Sequence, residues 1–176
     1  MHYREATASD VEAIAALHAD SWQRNYRGAY SDAYLDGDVL ADRLAVWTDR
    51  LTTPSLEHFT IVAGRDGEVV GFAHTILDEH PTWGALLENL HVTNDLKHQG
   101  IGRRLMAESA RTLIECRPSS GLYLSALEQN TAAQAFYGAI GGTAVERKLA
   151  GPFPGGGTAP VIWYAWPDPA ILITNT

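Results

Sequence analysis

The sequence contains a single cysteine, Cys116. One cysteine cannot form an intramolecular disulfide, and no Cys/His spacing in the chain resembles a zinc module. Disulfide-stapled and zinc-stabilised folds are therefore excluded as interpretations. The residue types predict a protein of a reducing, cytoplasmic setting.

Long hydrophobic runs are also missing. No apolar stretch approaches the roughly 20 residues that span a bilayer, and residues 1–5 are too polar to begin a signal peptide. The sequence thus gives no support for secretion or for insertion into a membrane.

The chain has fewer basic than acidic residues. Thirteen Lys and Arg stand against twenty-one Asp and Glu, which gives a formal net charge of −8. Such a surface repels phosphate backbones and anionic membranes, so we expect neither nucleic acid nor a membrane as a partner. The acidic balance weakly favours cationic small partners, although it can also serve solubility alone.

The composition that remains is that of a folded domain. Of 176 residues, 45% are hydrophobic and 19% are charged, which is typical of soluble globular proteins. The length is sufficient for a substantial core and predicts one domain over residues 1–176.

Apolar periodicity predicts the order of the elements. Helices are expected at about 9–24, 31–50, 100–115 and 131–140, the first with a capping box at Ser9–Glu12. Strands are expected at 3–6, 59–63, 69–76, 85–92, 122–127, 143–149 and 161–166. Asp66-Gly67 predicts a tight hairpin, and a period of two places Glu88, Leu90 and Val92 on one face of their strand.

A glycine-rich turn lies where the strand at 85–92 gives way to a helix. Gly100 and Gly102 let the backbone approach a ligand closely, and the first amides of the helix carry partial positive charge. Such a turn can hold a pyrophosphate, or it can be a tight turn and nothing more. The segment is neither a Walker A loop nor a dinucleotide fingerprint, since it lacks Gly-Lys-Ser/Thr and a third glycine.

A second polar cluster follows the next strand. Asn130 can cap the helix or donate its amide to a ligand, and Tyr137 lies about two turns further along, where its phenol could act as an acid. Phe136 and Tyr137 would equally suit a core.

The two clusters together resemble the GNAT superfamily of N-acetyltransferases. The likeness covers Leu90-His91-Val92, the turn at 98–102, and Asn130 with Phe136-Tyr137 and a glycine pair shortly after. The family usually has Arg or Gln where this chain has Lys97, which can meet a phosphate only as a point charge. From the element order we expect an α/β fold with a mixed, twisted central sheet of about seven strands and helices on both faces.

The resemblance implies acetyl-CoA as the acyl donor and no metal. The backbone at Leu90, His91 and Val92 would pair with the pantetheine arm, and the 98–103 amides would cradle the pyrophosphate. The residues implied in binding acetyl-CoA are Leu90, His91, Val92, Lys97, His98, Gln99, Gly100, Ile101, Gly102, Arg103, Asn130 and Tyr137.

The implied reaction needs a base, an acid and an oxyanion donor. Amines are mostly protonated near neutral pH, so a group must accept a proton before attack on the thioester. Glu88 is our candidate base, with His91 or a water chain as alternatives, and Glu88 could equally be an ordinary ion-paired carboxylate. Tyr137 is the candidate acid for the leaving thiolate, and the Val92 N–H is the candidate oxyanion donor. Cys116 lies at the far end of a helix, which favours direct transfer in a ternary complex.

Residues of the first two helices are expected to bind the acceptor. Aromatic surface would come from Trp22, Tyr26, Tyr30 and Tyr34, and negative charge from Asp32, Asp36, Asp38 and Asp42. These groups could attract a cationic amine or could be core and solvated surface. The Gly151–Gly157 loop could be a lid or an irregular connection.

Three functions remain open from the sequence. The first is acetylation of a primary amine on a small molecule such as an amino acid, a polyamine or an aminated antibiotic. The second is acetylation of a protein N-terminus or lysine, and the third is acyl-CoA binding without turnover. Strand edges or the C-terminal segment could support a homodimer.

Overall fold

A computed structural model describes residues 1–53 and 55–174. The strands found there are β1 (His2–Glu5), β2 (His58–Arg65), β3 (Glu68–His80), β4 (Gly84–Val92), β5 (Leu122–Leu127), β6 (Thr143–Ala150) and β7 (Ala159–Trp166). The α-helices are α1 (Val11–Asn25), α2 (Asp32–Asp36), α3 (Val39–Thr52), α4 (Ile101–Cys116), α5 (Thr131–Ala139) and α6 (Ile171–Thr174).

The strands form one sheet in the order β1-β2-β3-β4-β5-β7-β6. Only the central pair, β4 and β5, is parallel, because α4 connects them as a crossover. The core under α4 contains Leu105, Met106 and Leu113, whereas Ile14 of α1 and Trp47 of α3 pack on the opposite face. The expected mixed seven-stranded sheet with helices on both faces is confirmed.

The β2–β3 hairpin is also confirmed. Asp66 and Gly67 have φ angles of 53° and 89°, the left-handed conformations that a two-residue hairpin turn requires. The hairpin continues further than expected, since β3 extends to His80.

The predicted single helix over 31–50 is wrong, because the chain forms two helices there. Ser31 caps α2 by accepting a hydrogen bond from the Tyr34 amide at 3.3 Å, and α2 ends at Gly37, which leaves the helical conformation. The apolar face of α3 also differs from the predicted one. Leu40 is exposed, while Arg43 is buried between Val39 and Trp47.

The capping box lies two residues earlier than predicted. The Asp10 carboxylate accepts the Thr7 amide at 2.8 Å and pairs with Arg4 at 2.7 Å, at a 3-10 turn that precedes α1. Ser9 therefore does not cap the helix. The C-terminal helix α6 was not anticipated, and its Leu172 reaches the core under α4. Among the described helices, none combines the length and apolar character needed to cross a bilayer.

Candidate functional site

The candidate site begins where β4 and β5 separate. The two strands pair only at Ala85 with Leu122 and at Leu86 with Tyr123. Beyond Leu86, β4 continues to pair with β3 alone. A wedge therefore opens between the two parallel strands, and it leaves one edge of β4 without a strand partner.

A β-bulge at Glu88 changes which side chains share a face of β4. Leu87 pairs with Thr75 and Asn89 with His74, so Glu88 is the extra residue in the ladder. Before the bulge, Leu87 faces the core under α4, and after it Leu90 and Val92 pack against that core. The predicted common face for Glu88, Leu90 and Val92 is therefore wrong.

Glu88 instead lies on the side of α3. Its carboxylate is 2.7 Å from Arg50 Nη2, and the side chain is one-third exposed. Arg50 also reaches the neighbouring Asn89 and stacks over Trp47. Arg50 thus fixes the position of the Glu88 carboxylate at the mouth of the wedge.

The hydrogen-bond pattern decides which backbone groups face the wedge. Thr93 N donates to Val70 O at 2.9 Å, and polar groups along a strand point alternately to its two edges. The N–H and C=O groups of His91 therefore point to β3. Those of Leu90 and Val92 point to the open edge.

The start of α4 lies beside the end of β4. Gly100 has a φ of 81°, a left-handed conformation that a branched side chain cannot adopt without strain. The first helical bond runs from Arg104 N to Gly100 O, so the amides of Ile101 and Gly102 have no intrahelical acceptor. No side chain caps the helix, and its first turn contains no acidic residue. This end of α4 is suited to an anion.

The side chains of the turn take different positions. Ile101 is buried and anchors α4 in the core. His98 and Gln99 are exposed, Gly102 and Arg103 are half-buried on the first turn of the helix, and His98 has a positive φ of 63°. Lys97 lies near α1, in a small cavity that Asp20 and Ser21 also line.

Helix α5 closes the wedge from the other side. A Cβ atom on Gly102 would lie 3.6 Å from Phe136 Cζ and 3.9 Å from Val92 Cγ2. These are ordinary van der Waals distances, and they show that α4, α5 and the end of β4 meet at this point. Asn130 caps α5 through its Oδ1, which accepts the Ala133 amide at 3.1 Å.

Tyr137 lies on the inner side of α5, where it contacts Tyr164 and Trp166 of β7. Burial raises the pKa of its phenol, and the nearby Tyr26 phenol adds to the effect. The phenol therefore keeps its proton throughout the physiological range.

His91 lies on the opposite face, among α1 residues. Its Nδ1 is 2.8 Å from Ser21 Oγ, and its ring contacts His18 and Phe72. Burial, together with the charges of Lys97 and Arg43, lowers the pKa of His91 to about 3. A histidine with this pKa is a weak base, so His91 is a poor candidate for accepting a proton from an amine.

The four aromatic residues predicted to bind the acceptor form one cluster. Neighbouring rings lie between 4.8 and 6.4 Å apart. Burial raises the pKa of Tyr26 to about 12, and it raises the pKa of Tyr30 further. The cluster consists of Trp22, Tyr26, Tyr30 and Tyr34.

The β6–β7 loop packs on this aromatic cluster. Phe153 stacks on Tyr30 with 4.8 Å between the ring centroids. A Cβ atom on Gly155 would lie 2.5 Å from Tyr34 Cβ, so only glycine permits the observed approach. The loop thus covers the cluster in this structure.

Sequence analysis missed Arg43, Arg50 and Phe153. The two arginines occupy the sheet-facing side of α3 with Val39 and Trp47, at spacings of three and four residues. A charged residue within an apolar stripe was the available signal. Phe153 had no such signal, since it comes from a Pro/Gly loop.

Cys116 is the last residue of α4 and is exposed. The 16 residues of this helix separate it from the wedge by about 24 Å. This distance places the thiol outside the wedge.

Comparison with known proteins gives a consistent family. Residues 12–141 match the model of the Acetyltransferase (GNAT) family. A Bacillus subtilis (strain 168) protein, "Uncharacterized N-acetyltransferase YuaI", is 29% identical over 129 residues, which is 72% of each chain.

Solved structures share the fold at lower identity. The PaiA N-acetyltransferase of Thermoplasma acidophilum, in complex with coenzyme A, is 18% identical with a TM-score of 0.70, covering 94% of this chain and 98% of that one. The yncA protein of Salmonella typhimurium, solved with its cofactor acetyl-CoA, is 19% identical with a TM-score of 0.69, covering 94% and 92%. Since the family model spans well over half of the sequence, the chain belongs to the Acetyltransferase (GNAT) family.

Proposed function

We propose that the protein transfers an acetyl group from acetyl-CoA to a primary amine of a small molecule, by direct transfer within a ternary complex. The observation that carries this proposal is the uncapped N-terminus of α4 beside the open edge of β4. Together they offer amides for a pyrophosphate and a strand edge for an extended amide-containing chain. Coenzyme A contains both of these groups.

The residues present fit such a ligand. The amides of Ile101 and Gly102 would hold the pyrophosphate, and nothing in the structure would meet a Cβ atom on Gly100, so the space beside the turn is open. The backbone groups of Leu90 and Val92 would pair with the pantetheine arm. Since the cap on α5 uses only Oδ1 of Asn130, its Nδ2 could contact the same arm.

Glu88 and Tyr137 would handle the protons. Acetyl-CoA supplies an activated acetyl group and a thiol leaving group. Glu88 Oε2, held by Arg50, would accept one proton from the acceptor ammonium, and the neutral amine would then form the C–N bond to the thioester carbonyl carbon and give a tetrahedral oxyanion. As this adduct collapses the C–S bond breaks, and the second proton of the nitrogen passes to solvent. Tyr137 Oη donates a proton to the departing sulfur and is reprotonated from solvent. Overall, an ammonium substrate yields one amide, one thiol and one proton.

The Val92 N–H is the proposed oxyanion donor, because it points into the wedge between Glu88 and the start of α4. The separation of Cys116 from the wedge supports direct transfer without an acyl-cysteine.

The acceptor side favours a small molecule over a protein. The β6–β7 loop lies against the aromatic cluster through Phe153, Gly155 and Gly157, the last of which approaches Ala29 O closely. A peptide would require this loop to move away from α2.

A thiol-release assay tests the proposal. The purified chain is mixed with acetyl-CoA and, in separate arms, with small primary amines, N-terminal peptides and lysine peptides. We expect release with small amines. Release with peptides alone would support a protein acetyltransferase, and tight acetyl-CoA binding without release in any arm would indicate a binding module.

A further inference from the structure

A buried arginine lies in the acceptor side of the site. Arg43 is only 8% exposed, and its guanidinium carbon lies 4.3 Å from the centroid of the Trp22 ring. Arg43 Nη2 pairs with Asp42 Oδ2 at 2.8 Å. Its Nε is buried and has no hydrogen-bond partner among the described residues. A buried N–H group without a partner gains stabilisation when a ligand supplies a hydrogen-bond acceptor to it.

One side of the guanidinium is therefore already filled. Asp42 binds Nη2 and also accepts a hydrogen bond from the Tyr34 hydroxyl. These contacts hold the planar group in place over Trp22. The Nε–H remains for a ligand, and it can donate a charge-assisted hydrogen bond to one oxygen of a carboxylate.

Of the four acidic residues that the sequence offered for attracting a cation, three are paired with arginine side chains. Asp32 and Asp36 are exposed and pair with Arg27 at 3.0 and 2.5 Å. Asp42 is engaged by Arg43 and Tyr34. The buried charged group beside the aromatic cluster is thus the Arg43 guanidinium, which is paired with the half-buried Asp42 carboxylate.

Arg43 also lies near the proposed base. The Trp22 ring beneath Arg43 contacts His18 with 4.5 Å between the ring centroids, and His18 contacts His91 of β4 at 4.7 Å. Arg50 lies seven residues after Arg43, about 10 Å along the same face of α3, and it holds Glu88. One substrate could therefore place its nitrogen at Glu88 and an anionic group at Arg43.

We infer that Arg43 binds a carboxylate of the acceptor, so that the substrate is an amino acid or another short amine with a carboxylate a few bonds from its nitrogen. The inference rests on the proposed function and narrows its substrate class. The aromatic cluster would then contact the side chain of the amino acid.

The first test compares matched acceptors. The twenty common amino acids, their amides, their decarboxylated amines and the corresponding aminophosphonates are assayed for thiol release. We expect kcat/KM to be about 10- to 100-fold higher for amino acids than for the decarboxylated amines, the range of one charged hydrogen-bonded contact. Equal use of decarboxylated amines would overturn the inference while leaving the proposed acetyltransferase intact. A preference for aminophosphonates would assign Arg43 to a phosphonate and would also overturn it.

The second test uses Arg43→Lys, which keeps the charge, together with Arg43→Gln. We expect KM for amino acids to rise about 10- to 100-fold in Arg43→Gln, and by less in Arg43→Lys, with little change for decarboxylated amines. A similar loss for every acceptor would contradict a carboxylate contact. Thermal melting and acetyl-CoA affinity, measured by titration, identify a variant that has lost its fold.

A binding measurement separates the two proposals. Each amino acid is titrated into the protein saturated with coenzyme A, and the heat of binding is recorded for wild type and Arg43→Lys. Binding that depends on Arg43 supports the inference even without turnover. If no amino acid binds and carboxylate-free amines are acetylated, the inference fails and the proposed function stands.

Discussion

The wedge has a donor side, which would bind acetyl-CoA, and an acceptor side, which would bind the amine. The two sides are formed by different kinds of chemical group. The donor side uses backbone groups from one continuous segment, from Leu90 at the end of β4 to the first turn of α4. The acceptor side uses side chains from α1, α2, α3, β4 and the β6–β7 loop. Backbone sites depend on local conformation, so a glycine pattern predicts them. Side-chain sites depend on tertiary packing, which a local pattern does not contain.

Replacing Gly100 should have the largest effect and should be confined to the donor side. Valine at a φ of 81° would distort the turn that presents the amides of Ile101 and Gly102, and losing two charged hydrogen bonds would raise the Kd for acetyl-CoA by about 1,000-fold. Calorimetric titration gives the Kd. The matched control is Gly67→Val, since Gly67 also has a positive φ and open space around it but lies in the β2–β3 turn. Equal Kd values for both variants would contradict the cradle.

Replacing Glu88 should affect catalysis while leaving the donor side unchanged. Glu88→Gln removes the proposed base, so we expect kcat to fall by about 100-fold and its pH dependence on the acidic side to disappear. The Kd for acetyl-CoA should not change. Glu108→Gln serves as a control, because Glu108 also pairs with arginines but lies on α4. An unaltered pH–rate profile in Glu88→Gln would point to solvent as the base.

The two faces of the sheet should differ in their response to acid. Burial, with the charges of Arg50 and His58, lowers the pKa of His74 to about 2, and His91 has a pKa of about 3. Both histidines lie on the α1/α3 side. Because the folded pKa lies below the usual 6.5, the stabilisation is complete above about pH 6.5 and is lost as the pH falls below it.

This difference should be measurable by hydrogen exchange. Between pH 7 and 5, each of these histidines would lower the free energy of unfolding by about 2 kcal/mol, or about 30-fold in the equilibrium. After correction for the intrinsic pH dependence of exchange, α1 and α3 should lose more protection than α4. Uniform loss across the three helices would show that the faces unfold together.

Removing the phenol of Tyr137 should give the smallest effect. A thiolate leaves more readily than an alkoxide, so Tyr137→Phe should lower kcat by only about 10-fold, with the Kd for acetyl-CoA unchanged. Steady-state kinetics and titration measure the two quantities. Tyr123→Phe is the control, because Tyr123 is another tyrosine that contacts an aromatic residue of β7, but its partner is Trp163. Unchanged turnover in Tyr137→Phe would remove this residue from the acid role.

The sequence predicted what local conformation determines. Asp66-Gly67 specified the hairpin, and Gly100 with Gly102 marked the turn that precedes α4. The bulge at Glu88 was not predictable, because an extra residue in the ladder arises from pairing with β3 and has no signature in Leu87-Glu88-Asn89. Because of this bulge, Glu88 lies on the opposite face of β4 from the one predicted.

The residues of the acceptor side were also only partly predictable from the sequence. Trp22 and Tyr30 were predicted to line it, since aromatic residues on the first two helices share a region. The burial of Arg43 over Trp22 was missed, because it depends on how α3 packs across α1. The break at Gly37 that creates α3 was also missed, since a single glycine is compatible with a continuous helix.

Hydrogen exchange with coenzyme A tests the central claim most directly. Amide exchange is measured for the protein alone and for the protein saturated with coenzyme A. The account predicts protection of the amides at 98–103 and of those at Leu90 and Val92, with His91 protected in both states through β3. Saturable binding that leaves the 98–103 amides unprotected, or that protects a different region, would contradict the account.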